Sequence, residues 1–379
     1  MSIYLDNAAT TQVCPEAAEA AIKAMTEFYA NPSSTHRMGR EAKKLMDAAR
    51  AKVAKALGCT PEELYFTSCG SEGDNWAIIE GAHYAGRKGK HIISSKVEHS
   101  AVRKSLEKLE KEGFEITMLD PQPDGSISLS SVMEALRPET CLVSLMLVNN
   151  EVGAITDIAS IAKAVHAKNP NTLVHTDAVQ AFLKVPFTAS KLGADMIAVS
   201  GHKVHAPKGI GALYIRKGLN LPAHIVGASQ EFGKRAGTEA TPQILAFGEA
   251  CESAALAFPV YHKKLQELRN HAIERLTAEN EGLVVIGGNA PQLLSISLPG
   301  YRSEVIMNFL EAKEIYVSKS SACKKGGRSH VLEAMKLPAE VIDGAIRVSF
   351  CRYTTLEEID AFCDAVREAR ESLRSAVKR

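Results

Sequence analysis

Short, almost uninterrupted apolar runs alternate with helix-patterned segments along this chain, and that alternation restricts the fold more than any other feature. Leu142-Val143-Ser144-Leu145-Met146-Leu147-Val148 is one such run. It has no polar face, which suits a strand covered on both sides. Comparable stretches predict strands over residues 63–67, 91–95, 140–148, 172–176, 195–200 and 211–215. Helix-like segments such as 158–167 lie between them, as in βαβ crossovers. The expected fold is α/β, a large doubly wound domain with a mostly parallel sheet.

Beyond residue 255 the texture changes. Residues 261–279 read as a charged amphipathic helix, followed by short strands over 293–298 and 345–350. A closing helix is predicted over 356–377. Thr355 and Glu358 make a capping box at its start, and Leu356, Ile359, Phe362, Val366 and Leu373 follow at helical spacing. This part is expected to form a smaller α+β domain. The division is a large domain over 15–255 and a small one combining 1–14 with 256–379.

Composition excludes several classes. The 45 basic and 44 acidic side chains nearly cancel to +1, so no global field favours nucleic acid or anionic lipid. The N-terminus Met-Ser-Ile-Tyr-Leu-Asp has no basic and apolar leader pattern. No run of about 18 apolar residues suggests a membrane span. Eight cysteines are scattered without CxxC pairs or zinc-like spacing to histidines. Reduced thiols, no stable metal site and a cytoplasmic location are therefore expected.

Ligands in open α/β sheets bind where the carboxyl ends of strands open into a crevice. Polar residues of distinctive type follow the predicted strands here: the run Ser68 to Asn75, then His99, Asn149 and Asn150, Asp177 and Gln180, and Ser200, His202 and Lys203. Their shared position implies one site. Cys69-Gly70-Ser71 before a helix is suited to a phosphate, since glycine admits the backbone, serine donates and the helix start has free N–H groups. The run matches neither a Walker loop nor a dinucleotide fingerprint. A lysine after a buried strand, such as Lys203, is partly desolvated and its amine is freed for Schiff-base chemistry. An acid on a neighbouring strand, such as Asp177, is placed to keep a pyridine nitrogen protonated.

With these residues in view, the chain resembles the cysteine desulfurases of the class-V aminotransferase, fold-type-I pyridoxal-phosphate superfamily. Matching motifs run end to end: Tyr4 to Thr11, Asn31-Pro32-Ser33-Ser34-Thr35-His36, Phe66-Thr67-Ser68, Glu98-His99, Val148 to Gly153, His175 to Gln180, Ser200 to Gly211, Arg235-Ala236-Gly237-Thr238, Ser321-Ala322-Cys323 and Ile346 to Phe350. The resemblance implies pyridoxal 5'-phosphate as cofactor, bound by Lys203 as a Schiff base, with Lys203 also moving the Cα proton. It implies that His99 stacks on the ring, Asp177 pairs with its nitrogen, and Asn150 and Gln180 bond its phenolic oxygen. Gly70, Ser71, Ser200, Gly201 and His202 would hold the phosphate, with Thr238 reaching it from a second subunit. Arg347 would grip the substrate carboxylate, aided by Asn150. Asn31 and His36 would line the entrance.

Cys323 lies in a small, glycine-containing and basic stretch, and nearby Lys324, Lys325 and Arg328 favour its thiolate. The resemblance implies that Cys323 takes sulfur from L-cysteine, leaving L-alanine and a persulfide. The partners implied are a second copy of the chain and a sulfur acceptor, either an iron–sulfur scaffold or a thiolation enzyme, with at most transient iron–sulfur ligation through Cys323. Three departures stand out. Ser68-Cys69-Gly70-Ser71 replaces the common Ser-Gly-Ala-Thr, Gly227 to Phe232 replaces a more glycine-rich version, and the segment after Cys323 is about two residues short, each spanning at most ~3.5 Å. The competing readings are a selenocysteine lyase, a cysteine lyase releasing sulfide, and a non-catalytic cofactor-binding scaffold.

Overall fold

The computed structural model describes residues 2–87, 89–319 and 327–373. Its strands are β1 Ile3–Tyr4, β2 Leu64–Thr67, β3 His91–Ser95, β4 Glu115–Leu119, β5 Thr140–Ser144, β6 Leu173–Asp177, β7 Met196–Ser200, β8 Gly211–Ile215, β9 Val284–Ile286, β10 Leu293–Ser297, β11 Ile315–Tyr316, β12 Ser318–Lys319 and β13 Ala345–Ser349. A seven-stranded sheet has the order β2-β8-β7-β6-β5-β3-β4. Only β8 runs against its neighbours; the other contacts are parallel. This is the α/β architecture expected.

The apolar runs are explained by burial on both faces. Ile93, Val143, Val174 and Ile197 belong to one core cluster, while Ile92, Leu142, Leu173 and Met196 belong to another. Alternate residues of a strand point to opposite faces, so each run feeds both cores. A third core surrounds a four-stranded antiparallel sheet, β12-β13-β10-β9, and contains Leu5, Leu294, Ile296, Ile346, Val348 and Phe362.

Several expectations need correction. The run over 140–148 ends as a strand at Ser144, because the Met146 N–H is taken by the Glu98 carboxyl (3.2 Å) rather than by a strand carbonyl. Strand β4 went unread because it is a half-exposed edge strand with weak apolar character. The closing helix ends at Ser372, where Leu373 turns extended. The helix expected over 261–279 instead begins at Thr241 and continues through Pro259 to Glu279. Ile244 to Ala254 of this helix enter the central core and Tyr261 to Leu276 enter the small-sheet core. Among the described residues it is also the one helix long and apolar enough to cross a membrane, contrary to the expectation of none; half of its most apolar window is buried against the chain.

Candidate active site

The carboxyl ends of β2, β3, β5, β6 and β7 open into one cavity of about 310 Å³. Gly70, Ser71, His99, Asn150, Asp177, Gln180, Ser200, His202, Lys203 and Arg347 all line it. Gly70 follows β2 at the start of a short helix, with Cys69 at the cap position. A Cβ on Gly70 would meet Val179 Cγ2 at 2.6 Å, so the backbone lies closer to the β6 loop than any side chain allows. Ser200, the last residue of β7, keeps its buried hydroxyl free of any partner among the described residues.

Lys203 sits in a one-turn helix after β7. Its Nζ donates to the carbonyls of Ala8 and Ala9, each at 2.6 Å, and no carboxylate pairs with it among the described residues. Burial lowers its pKa to about 8, reinforced by the Arg347 charge and opposed by Asp6 and Asp177. The amine therefore loses its proton far more readily than a surface lysine. His202 beside it is also kept neutral, lowered to about 4 chiefly by burial and next by Lys203.

Behind the cavity lies a buried acidic cluster. Asp177 ends β6 and accepts from the Val179 N–H at 2.9 Å; burial raises its pKa, while His99 and Lys203 oppose that rise. Asp74 is pushed well above the usual carboxylate range by burial and by Asp177, and Glu98 is raised to about 8, mostly by burial. Asp74 Oδ1 lies 3.6 Å from His175 Nε2, and burial lowers His175 to about 3. Asp74, His99 and Asp177 bring one ligand atom each within 4.8 Å of one another. Burial disfavours charge on these carboxyls and so weakens them as cation ligands, and the group reads better as the wall of an organic-ligand site.

His99 caps the helix Ser100–Lys111, its Nδ1 accepting from the Ala101 N–H at 3.2 Å. Arg347, on β13, reaches in from the small sheet. It donates to the Asn150 carbonyl at 2.8 Å and to Asp6 Oδ1 at 2.9 Å, while its buried Nε has no partner among the described residues.

The structure does not bring every anticipated residue here. Gly201 sits beside the cavity rather than in its wall, with its N–H on the Ile210 carbonyl at 2.9 Å. Thr238, Asn31 and His36 are exposed and outside the wall; His36 caps the helix Arg37–Leu57 instead. Cys323 lies outside the described residues. Beyond that segment, Ser329 bonds the buried Glu151 carboxylate and His330 Nε2 bonds the Glu98 carbonyl at 3.1 Å. Asp74 and Glu151 also line this wall, although sequence reasoning gave neither of them a role in it. For Asp74 a signal existed: it sits one helical turn after Gly70.

The class-V aminotransferase family model matches residues 3–362. The cysteine desulfurase IscS of Methanosarcina thermophila is 40% identical over 381 residues, covering 99% of this chain and 93% of that protein. The cysteine desulfurase of Trichormus azollae is 40% identical over 378 residues, 98% of this chain and 94% of that one. Among solved structures, a NifS-like protein superposes with a TM-score of 0.93 at 38% identity, covering 98% of this chain and 100% of its own. DndA from Streptomyces lividans gives 0.77 at 36% identity, with 91% and 99% covered.

Proposed function

The chain belongs to the class-V aminotransferase family and is a pyridoxal-phosphate-dependent cysteine desulfurase, and we propose that Lys203 and Cys323 divide its chemistry between them. The reading is carried by one observation: a desolvated Lys203 amine, without a carboxylate partner, faces the same cavity as the buried Asp177.

The residues fit the cofactor. Ser200 offers an unclaimed buried hydroxyl, Gly70 leaves room at a helix start, and Asp177 offers a buried acid for a ring nitrogen. Bound there, pyridoxal phosphate supplies an electron sink that loosens bonds around the amino acid's Cα and Cβ. Gly70, Ser71, Ser200 and His202 would hold its phosphate, with Thr238 contributed by a second copy. Asp177 would hold a proton on the ring nitrogen, Asn150 and Gln180 would bond the phenolic oxygen, and His99 would cover the ring. Arg347 binds the substrate carboxylate through its planar fork, with Asn150 beside it and Asn31 at the entrance. Lys203 Nζ takes the Cα proton and returns one to carbon. The Cys323 thiolate attacks the substrate sulfur as the Cβ–S bond breaks; L-cysteine and one thiol become L-alanine and one persulfide.

We also propose a homodimer, transfer of the persulfide sulfur to an iron–sulfur scaffold or thiolation enzyme, and a cytoplasmic location. Exposed Ile22, Met25 and Tyr29 support the first, and seven free cysteines among the described residues support a reducing compartment. The division into a large domain over 15–255 and a small one of 1–14 with 256–379 is supported by the change of core along the helix Thr241–Glu279.

Mass spectrometry of the purified holoenzyme after exposure to cysteine tests the reading. One added sulfur atom is expected on Cys323 in the wild type and none in Lys203→Ala. Alanine formation with free sulfide and an unmodified Cys323 would make the protein a lyase instead.

A further inference from the structure

Lys184 is a second lysine beside the site, and nothing above accounts for it. It is 9% exposed and no carboxylate pairs with it among the described residues. Burying a lysine without an acid is unfavourable and rare, so an ion-pair role does not explain its presence. The backbone is bent to admit it. Leu183, immediately before, takes a left-handed φ of 53° although it is not glycine, and the Tyr261 hydroxyl bonds its carbonyl. Around Lys184 stand Lys203 and His205 from the turn after β7, Tyr261 from the long helix, and Arg347, Cys351 and Arg352 from β13 and the loop after it. This is a mostly cationic setting, and burial followed by the Lys203 charge lowers Lys184 to about 7.

Its hydrogen bond is more informative. Lys184 Nζ donates to Gln180 Oε1 at 3.2 Å, and Gln180 Nε2 donates to the Ala8 carbonyl at 2.8 Å. Ala8 is also a partner of Lys203. The Ala8 carbonyl only accepts, so it must meet the Gln180 amide nitrogen, which turns the Gln180 carbonyl toward the Lys184 donor. The Gln180 carbonyl must face Lys184, and the amide nitrogen must face Ala8 and the cavity. One Nε2–H goes to Ala8, and the other remains for whatever occupies the cavity.

We propose that Lys184 is a positioning residue that pins the Gln180 side-chain carbonyl, so that Gln180 faces the coenzyme only as a hydrogen-bond donor. The inference rests on the reading that this cavity holds pyridoxal phosphate with its phenolic oxygen toward Gln180. A fixed donor there favours the deprotonated phenolic oxygen. Releasing Gln180 lets its amide rotate, and the donor is lost for part of the time.

The test is a spectrophotometric pH titration of the holoenzyme's bound coenzyme, without substrate. Lys184→Met, which keeps length and removes the donor, is expected to raise the coenzyme's apparent pKa by about one unit, a tenfold change in proton affinity. Lys184→Arg, which restores a donor, is expected to return most of that shift. In a Gln180→Ala background, Lys184→Met is expected to add almost nothing, because the two residues act as one unit. An equal shift in the Gln180→Ala background would overturn the proposal, since Lys184 would then act through its charge alone. No shift in a folded Lys184→Met protein, verified by its melting curve, overturns it too. Failure of the underlying reading looks different: Gln180→Ala and Lys203→Ala would both leave the coenzyme spectrum of the wild type unchanged.

Discussion

Burial without a direct ion-pair partner among the described residues sets the behaviour of Lys203. With its pKa lowered to about 8, the free amine dominates above that pH. Reincorporation of pyridoxal phosphate into the apo-protein should therefore accelerate as pH rises toward 8 and then level off, whereas an ordinary lysine would keep accelerating toward about 10.4. Stopped-flow absorbance across pH 6–10 reads this directly. Arg347→Lys keeps the charge and loses the fork, so kcat/KM for cysteine should fall by about 100-fold, mostly through KM, in steady-state assays of alanine. Glu98 gives a stability prediction. Its pKa is about 8 folded against an ordinary 4.5, so the folded state holds a proton that the unfolded chain releases between those values. Stability is thus lost as pH climbs from about 4.5 to about 8. Glu98→Gln should raise stability at pH 8.5 by on the order of 1–3 kcal/mol and change little at pH 4.5, as thermal melts would show. Lys203 and Asp177 were legible in sequence because each follows an apolar strand. Glu98 and Asp74 were not, because what distinguishes them is burial against residues far along the chain.

At the scale of elements, Arg50 and Glu231 form a bidentate pair between the helix Arg37–Leu57 and the loop ahead of Thr238. The distances are 2.6 and 2.8 Å, both side chains are buried, and Glu231 also accepts the Phe66 N–H of β2 at 2.8 Å. Glu231 and Phe232 take left-handed φ values of 45° and 56°, a strain the pair offsets. Arg50→Leu would strand a buried carboxylate, so the denaturant midpoint should drop by the equivalent of about 3–5 kcal/mol. Legibility here followed burial again. Strands covered on both faces announced themselves as apolar runs, while edge strand β4, facing water on part of its surface, did not. The helix runs on through Pro259 because it is buried on both sides of it, which the charged pattern over 261–279 alone did not reveal.

For the whole molecule, the exposed position of Thr238 yields a mixing prediction. Thr238→Ala alone should hold the coenzyme about tenfold more weakly, as expected for one charge-assisted bond lost. Adding Lys203→Ala protomers under exchange conditions should restore wild-type retention at those sites whose neighbour now supplies Thr238. Equilibrium dialysis checks it, and no rescue would remove the second copy from the site.

The segment after β1 crosses between the two sheets. Leu5 bonds Tyr316 and Ser349, Asn7 bonds the Ser349 carbonyl, Thr11 bonds the His202 carbonyl, and Asp6 meets Arg347. Residues more than 340 positions apart thus complete one wall. During synthesis the residues around Asp6 must wait for partners translated more than 340 positions later. A nascent chain can thus build its central sheet before it can close the coenzyme pocket, and charging with cofactor comes after that sheet has formed.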